Sequence, residues 1–390
     1  MSPLRPLSSS APPDASLTGL YSIQAGRPFA SDLASGLIQM MPDKKLFASA
    51  HILVPSHRAV QALSAAFLEV ADGQPLMLPA ITALGDVDEF LPDILGAQGY
   101  DLPPAMDRVE RHLILAHLIQ GMMIGGRAIS PPQALSLSIS LCALLDQVSQ
   151  SGGSPDGLAD IMPDDFADHW ADIRKFLDII FEQWPDIAAQ KHVMDSGQRS
   201  ALLLSAQCDD WQQNPPAHPV IIAGSTGSLS STRALMKTVM GLPQGFIVLP
   251  GLPEILFGPD DYTAIRADIG HPFHQLLETL AALDVMQDDV KGWVFPPDSQ
   301  MSQTESHLAQ RRALFMEVFR PAEQSYLWRR LAETHRHITR DALASMRRID
   351  AVDMYQEADI IACLMRKTLE HPTKTATLVT ADRTLARHVR

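Results

Sequence analysis

Four short stretches of this chain carry side chains whose types and spacing could do chemistry. The first is Ala25-Gly26-Arg27-Pro28, a tight turn between a strand-like run at residues 20–23 and a helix opening near Phe29. Pro28 suits a first-turn position, because its missing N–H has no partner to lose there. Strand, turn and helix together make the geometry in which a helix start gathers an anionic phosphate. A nucleotide-hydrolysing loop needs GxxxxGK(S/T), with glycines for close approach, a Lys for the β/γ-phosphates and a hydroxyl for magnesium. Gly26 is the single glycine of this turn, and no Lys and no Ser or Thr stands at the matching offset. The turn has the scaffold of a phosphate loop without its ligands.

The second stretch, Gly224-Ser225-Thr226-Gly227-Ser228, follows a buried-strand run and precedes a helix. Backbone N–H groups and hydroxyls there could hold a phosphate. Small residues are equally what a strand needs where it turns sharply into a helix, and the spacing is not that of a GxSxG nucleophile elbow. The third, Asp86, Asp88 and Glu89, places three carboxylates within four residues, a composition that suits Mg²⁺. The preceding ITALG lacks the continuous apolar character of a strand ending in a hydrolytic acidic pair. A solvated loop with helix-start charge is the better reading. The fourth, Ser56, His57 and Arg58, comes directly after a second strand, at the edge where open α/β sheets bind ligands. Either His57 or Arg58 could touch a phosphodiester backbone. A capped, exposed helix start accounts for the same residues.

Other groups carry less. Glu333, His335 and His337 lie two apart, so on a helix they point in different directions, and no HExxH spacing supports metal ligation. His271 and His274 are three apart with no acidic or Cys partner and read as structural. Cys142, Cys208 and Cys363 form no CxxC pair, which argues against a zinc site, a cluster or a disulfide framework and fits a reducing cytoplasm. The methionine-rich helices read as adaptable core or partner surface. No catalytic residue and no metal ligand is assigned.

The elements that must position these residues follow from periodicity. Runs at 20–23, 50–55 and 76–84 read as strands, the last interrupted by Pro79, and RAVQALSAAFLEV between the second and third has one apolar face. From 106 to 214 only helical patterns occur, broken at Gly125-Gly126, Ser151-Gly152-Gly153 and Pro185. Strands resume with PVIIAG and FIVLPG on either side of the helix SSTRALMKTVMGL. Strands alternating with helices predict a mostly parallel sheet covered on both faces. The fold class expected is therefore α/β, with residues 20–105 and 215–300 as one sheet domain and 106–214 as an all-helical insertion. Residues 1–19 read as a loose tail and 301–345 as a helical linker. A second α/β unit begins at 346–390, with strands RRIDAVDM and TATLVT and a helix after each. Two strands are too few for a free-standing sheet, which suggests one part of a longer polypeptide.

Composition sets the bounds. The chain has 390 residues, 46% hydrophobic and 19% charged, a balance that builds cores rather than disorder. No apolar run reaches the roughly 18–20 residues of a membrane span. The net charge of −14 argues against a free-standing nucleic-acid binder. Residues 311–390 nevertheless hold 15 Lys and Arg against 10 Asp and Glu, a basic end on an acidic body, so any polyanion contact is local.

The ordered series IQAGRPFASDLASGL, HILVPSHRAVQALSAAF, ITALGDVDEF, VIIAGSTGSLSSTRALM, GFIVLPGL and VDMYQEADIIACLMRKTLE…TATLVTADRTLARHV resembles the AddB family. AddB is the second subunit of the AddAB helicase–nuclease that processes DNA double-strand breaks in bacteria, and the likeness is closest to the alphaproteobacterial form. The resemblance implies a superfamily 1 helicase-like fold, with a first RecA-like domain carrying a helical insertion and a second RecA-like domain after it. It puts Ala25, Gly26, Arg27 and Pro28 in the Walker A position, and Pro55, Ser56, His57 and Arg58 in the strand-contacting motif after the second strand. It sets Gly224–Ser228 near a third motif and Gln356-Glu357-Ala358 at a fourth, where the usual Arg is missing. The family partner is an AddA-type motor subunit in a heterodimer on DNA ends. ATP-Mg belongs to that partner, and an iron–sulfur cluster with Mg²⁺ belongs to a C-terminal nuclease domain whose carboxylates, Lys and cysteines are not in this sequence.

The resemblance thus leads to the expectation of a cytoplasmic, non-motor subunit of a repair and recombination complex. It would guide single-stranded DNA, carry no cofactor of its own and hydrolyse no ATP. Two rivals stand beside it. One is a phosphate-ligand protein using the Gly224–Ser228 loop, and the other is a purely architectural subunit.

Overall fold

A computed structural model of the chain describes residues 17–86, 102–121, 123–124, 127–151, 183–253, 258–293, 301–330, 333, 338–372 and 374–389. The chain divides into two compact units, Met1–Ser299 with Met316–Arg329, and Gln300–Phe315 with Arg330–Arg390.

The first unit opens with β1 (Gly19–Ile23), α1 (Phe29–Met40), α2 (Lys44–Ser49), β2 (His51–Val54), α3 (His57–Val70) and β3 (Ala80–Ala83). A 3-10 turn at Leu84–Asp86 follows. Next come α4 (Arg108–Gln120), β4 (Met123–Ile124), β5 (Arg127–Ala128), α5 (Pro131–Ser151), α6 (Trp184–Gln190) and α7 (Ser196–Gln213). The chain then returns through β6 (Val220–Ala223), α8 (Ser230–Met240), β7 (Gly245–Pro250), α9 (Pro259–Ala267), α10 (His274–Ala282) and β8 (Lys291–Gly292).

Six strands form one sheet in the order β3-β2-β6-β7-β1-β8, and every neighbouring pair is parallel. This is an α/β sheet with a helical insertion between β3 and β6, consistent with a RecA-like parallel-sheet domain. The strand sequences explain why it forms. HILV, VIIA and GFIVLP are continuous apolar runs, as strands buried on both faces require. Alternate residues enter opposite cores: Ile221, Phe246 and Val248 face the layer holding α1 and α3, while Ile222, Ile247 and Leu249 face the layer holding α7, α8 and α10.

Three features depart from the sequence expectation. The stretch 106–214 is not helical throughout, because β4 and β5 pair as a short antiparallel hairpin on either side of residues 125 and 126. Gly-Gly flanked by short extended runs is a hairpin signal as well as a helix break. Helix α7 belongs with the sheet: Leu203, Leu204, Cys208 and Trp211 join the sheet's core, whereas α4, α5 and Trp184 share a separate core around Leu115, Ile119 and Leu141. Strand β8 was not expected at all, since two residues carry no periodicity. It is held beside β1 by the register Tyr21–Lys291 and Ser22–Gly292.

The second unit holds α11 (Met301–Val318) up to Phe315, α12 (Arg340–Leu343), α13 (Met354–Thr368) and α14 (Arg383–His388). Asp353 and Asp382 cap the last two by accepting from first-turn N–H groups. The runs expected as strands, RRIDAVDM and TATLVT, are not laddered among the described residues. Their apolar residues are present but exposed, Val352 at 87% and Val379 at 90%. A strand signal becomes a strand only where a neighbour takes up its N–H and C=O groups.

Candidate functional site

All six parallel strands of the sheet end at the same edge, so the loops after β1, β2, β3, β6 and β7 gather there. Contacts among them are close. The position of a Cβ on Gly224 lies 3.2 Å from the Phe29 ring and 3.7 Å from Pro55, and that of Gly251 lies 3.6 Å from Ala25. The structure therefore brings together three of the sequence-predicted stretches, those at 25–28, 56–58 and 224–228. Of the acidic stretch, Asp86 closes the 3-10 turn after β3 at the same edge, and Asp88 and Glu89 lie outside the described residues.

In the turn after β1, Gly26 takes φ +87°, a conformation that favours glycine. Arg27 does not face outward. Its Nε donates to Asp32 Oδ2 at 2.6 Å and its Nη2 to Oδ1 at 3.2 Å, a two-pronged pair with side chains only 5% and 11% exposed. Asp32 belongs to the first turn of α1, where a carboxylate also suits the helix dipole. The Asp32 carbonyl accepts from the Trp293 indole at 2.9 Å, and Trp293 packs on α1 where Gly36 leaves room. A magnesium triphosphate does not fit this turn. Its one cation is already neutralised, the neutralising carboxylate repels phosphate, and residues 25–28 hold no Lys and no hydroxyl.

After β2, Ser56 caps α3 by accepting from Ala59 N–H at 3.4 Å, and Ser56, His57 and Arg58 are all exposed. The Ser56 hydroxyl proton stays available to donate. This corner can meet a phosphodiester with one hydroxyl, one imidazole and one guanidinium.

The Gly224–Ser228 loop serves a different purpose from the one its glycines suggest. Gly224 and Gly227 adopt φ +75° and +65°, and the space beside them is filled by Phe29 and by Thr279 of α10. Thr279 Oγ1 donates to Thr226 O at 2.6 Å, Gln275 Nε2 to Gly227 O at 3.1 Å and Arg233 Nη1 to the same carbonyl at 2.9 Å. The glycines let the loop approach protein, not ligand. What the loop offers outward is side chains: Ser225 and Ser228 line an open groove of about 310 Å³. Its other hydroxyls, on Ser196, Ser200, Ser231 and Thr232, come from α7 and α8. Sequence reading missed these four, because no linear motif links residues some thirty positions apart on two helices.

The insertion fixes the start of α7. Arg111 of α4 sits 2.6 Å from Asp146 of α5 and 2.9 Å from Asp195, the residue before α7, the second contact being ionic without hydrogen-bond alignment. Asp195 also accepts from the Trp184 indole at 2.9 Å. Burial pushes the Asp195 carboxyl above its ordinary range, and Arg111 and Trp184 oppose that shift. Elsewhere, His271 acts structurally: its Nδ1 accepts from Phe273 N–H at 3.2 Å, so its Nε2–H donates to Phe319 O at 2.6 Å. His335 and His337 lie outside the described residues. No described helix is long and apolar enough to cross a membrane. No family model matches the chain, and no curated protein matches it.

Proposed function

We propose that this chain is the helicase-like part of an AddB-type subunit: a cytoplasmic component of a double-strand-break-processing complex that guides single-stranded DNA and hydrolyses no ATP. The observation that carries the reading is the buried Arg27–Asp32 pair. It stands at the strand–turn–helix position that the resemblance matches to a triphosphate loop, and it neutralises the one cation of a turn that has neither Lys nor hydroxyl. The all-parallel sheet with its insertion supports a motor ancestry. The exposed Ser56, His57 and Arg58 at the strand edge support contact with a polynucleotide. Strand movement then falls to a separate motor subunit that binds and hydrolyses ATP.

The test is fluorescence anisotropy of a labelled single-stranded oligonucleotide with the purified chain. Binding is expected to be weak and to fall with salt on a shallow slope, since only a few phosphates meet cations. Arg58→Glu is expected to weaken it roughly tenfold or more, one charge-assisted contact being worth about 1.5–3 kcal/mol. Unchanged affinity in that variant, or no dependence on salt, removes this corner from the strand path.

A further inference from the structure

The helical insertion meets the sheet along α7, and the polar side chains on that seam are poorly matched. α5 packs against α7 and α8, while Arg111 of α4 reaches Asp195 just before α7 begins. Six buried side-chain nitrogen and oxygen atoms lack an aligned hydrogen bond among the described residues, and five of them are on Arg111, Asp195 and Gln207 of α7. They are Nε and Nη2 of Arg111, Oδ1 of Asp195, and both Nε2 and Oε1 of Gln207. Gln207 is the clearest case. It is 1% exposed, on the helix face that also buries Leu203, Leu204, Cys208 and Trp211. A buried amide whose donor and acceptor are both unsatisfied has given up its hydration without replacement.

The packing supplies an independent observation. The core around Leu115, Ile119 and Leu141 and the core that takes Leu203, Leu204, Cys208 and Trp211 share no residue. A large apolar interface locks two bodies together, whereas one without it leaves relative motion as the ordinary expectation. Here no continuous apolar core crosses the seam. Separation would cost little apolar burial there, and it would let water reach the five unsatisfied atoms. The Arg111–Asp195 contact opposes separation, but two ions taken out of water without aligned hydrogen bonds make a weak clasp.

We propose that the insertion carrying α4 and α5 is a hinged body that swings away from α7 while α7 stays packed on the sheet. The seam that opens runs through Gln207 and the Arg111–Asp195 contact. Asp195 immediately precedes Ser196 on the wall of the open groove, so the hinge borders the edge where the strand-end loops gather. The hinge does not rest on the strand-guiding role.

The experiment is double electron–electron resonance on the whole chain, with spin labels at Ser140→Cys on α5 and Ala234→Cys on α8, both exposed positions. Cys363, the exposed native thiol, is replaced by Ser, and a chain without the two introduced cysteines checks that buried Cys142 and Cys208 stay unlabelled. Two distance populations are expected, one closed and one open. Gln207→Met keeps the length of the side chain and removes both unsatisfied atoms, so it is expected to lower the ratio of open to closed about tenfold. Gln207→Glu puts a charge at the same place, which only the open state hydrates, and is expected to raise that ratio about tenfold or more. A single narrow distance overturns the hinge. So do two distances whose ratio neither variant changes.

Discussion

At Arg27, a residue that reads in sequence as a cation left where a phosphate loop should be, the structure supplies a carboxylate from the next helix. The absence of the Lys was legible, because Walker spacing is a linear pattern. The presence of Asp32 as its counter-ion was not, since a turn residue and a helix residue five positions on have no fixed geometry until both are folded. The pair is buried, so removing one member leaves an uncompensated charge. Asp32→Asn is expected to lower the unfolding free energy by about 3 kcal/mol, read as a fall in the urea midpoint without a change in slope.

His51 gives a second prediction at the residue scale. It is 6% exposed at the start of β2 and lies 2.8 Å from Thr82 Oγ1, and burial, with His218 nearby, lowers its pKa to about 4. The unfolded chain therefore takes up this proton first as pH falls, near the ordinary value of about 6.5. Stability from this group is intact above that point and is lost as pH drops towards 4, in total about 3 kcal/mol. Chemical denaturation between pH 7 and pH 4 should show that decline, and His51→Gln should flatten it. An equally steep decline in the variant assigns the effect to other groups.

Among the elements, the strands were the most readable parts, because continuous apolar runs bounded by small residues have few other uses. Even Pro79, which interrupts the third run, falls just before β3 begins at Ala80, where a missing N–H does no harm. The failures were of two kinds. β8 and the β4–β5 hairpin are too short to carry a period, and the runs at 347–354 and 375–380 carry a strand pattern without a ladder among the described residues. The assignment of α7 to the sheet also escaped the sequence, since an amphipathic helix shows that it has a buried face but not which core receives it. Contact between α1 and Trp293 yields an element-scale test. Gly→Ala in an exposed helix interior gains about 1 kcal/mol. At Gly36 the added Cβ collides with the Trp293 indole, so the sign reverses and Gly36→Ala is expected to cost about 1–3 kcal/mol in thermal unfolding. A stabilised Gly36→Ala would mean that the indole is not seated on α1.

For the whole molecule, the layered parallel sheet gathers its loops at one edge, and that edge divides between two kinds of chemistry. One part, at Arg27 and Asp32, is internally neutralised. The other, from Ser56 across to Thr232, presents hydroxyls and the exposed side chains of His57 and Arg58. On the reading proposed above, a sheet of this layout holds a polyanion and leaves triphosphate hydrolysis to a partner. The acidic balance of the body limits such contact to that edge and to the basic C-terminal stretch. The most direct measurement is phosphate release from ATP-Mg by the purified chain with saturating single-stranded oligonucleotide. The result expected is a rate indistinguishable from that of the protein-free reaction. Turnover above it that co-purifies with the chain and disappears on Arg27→Ala would contradict the central claim.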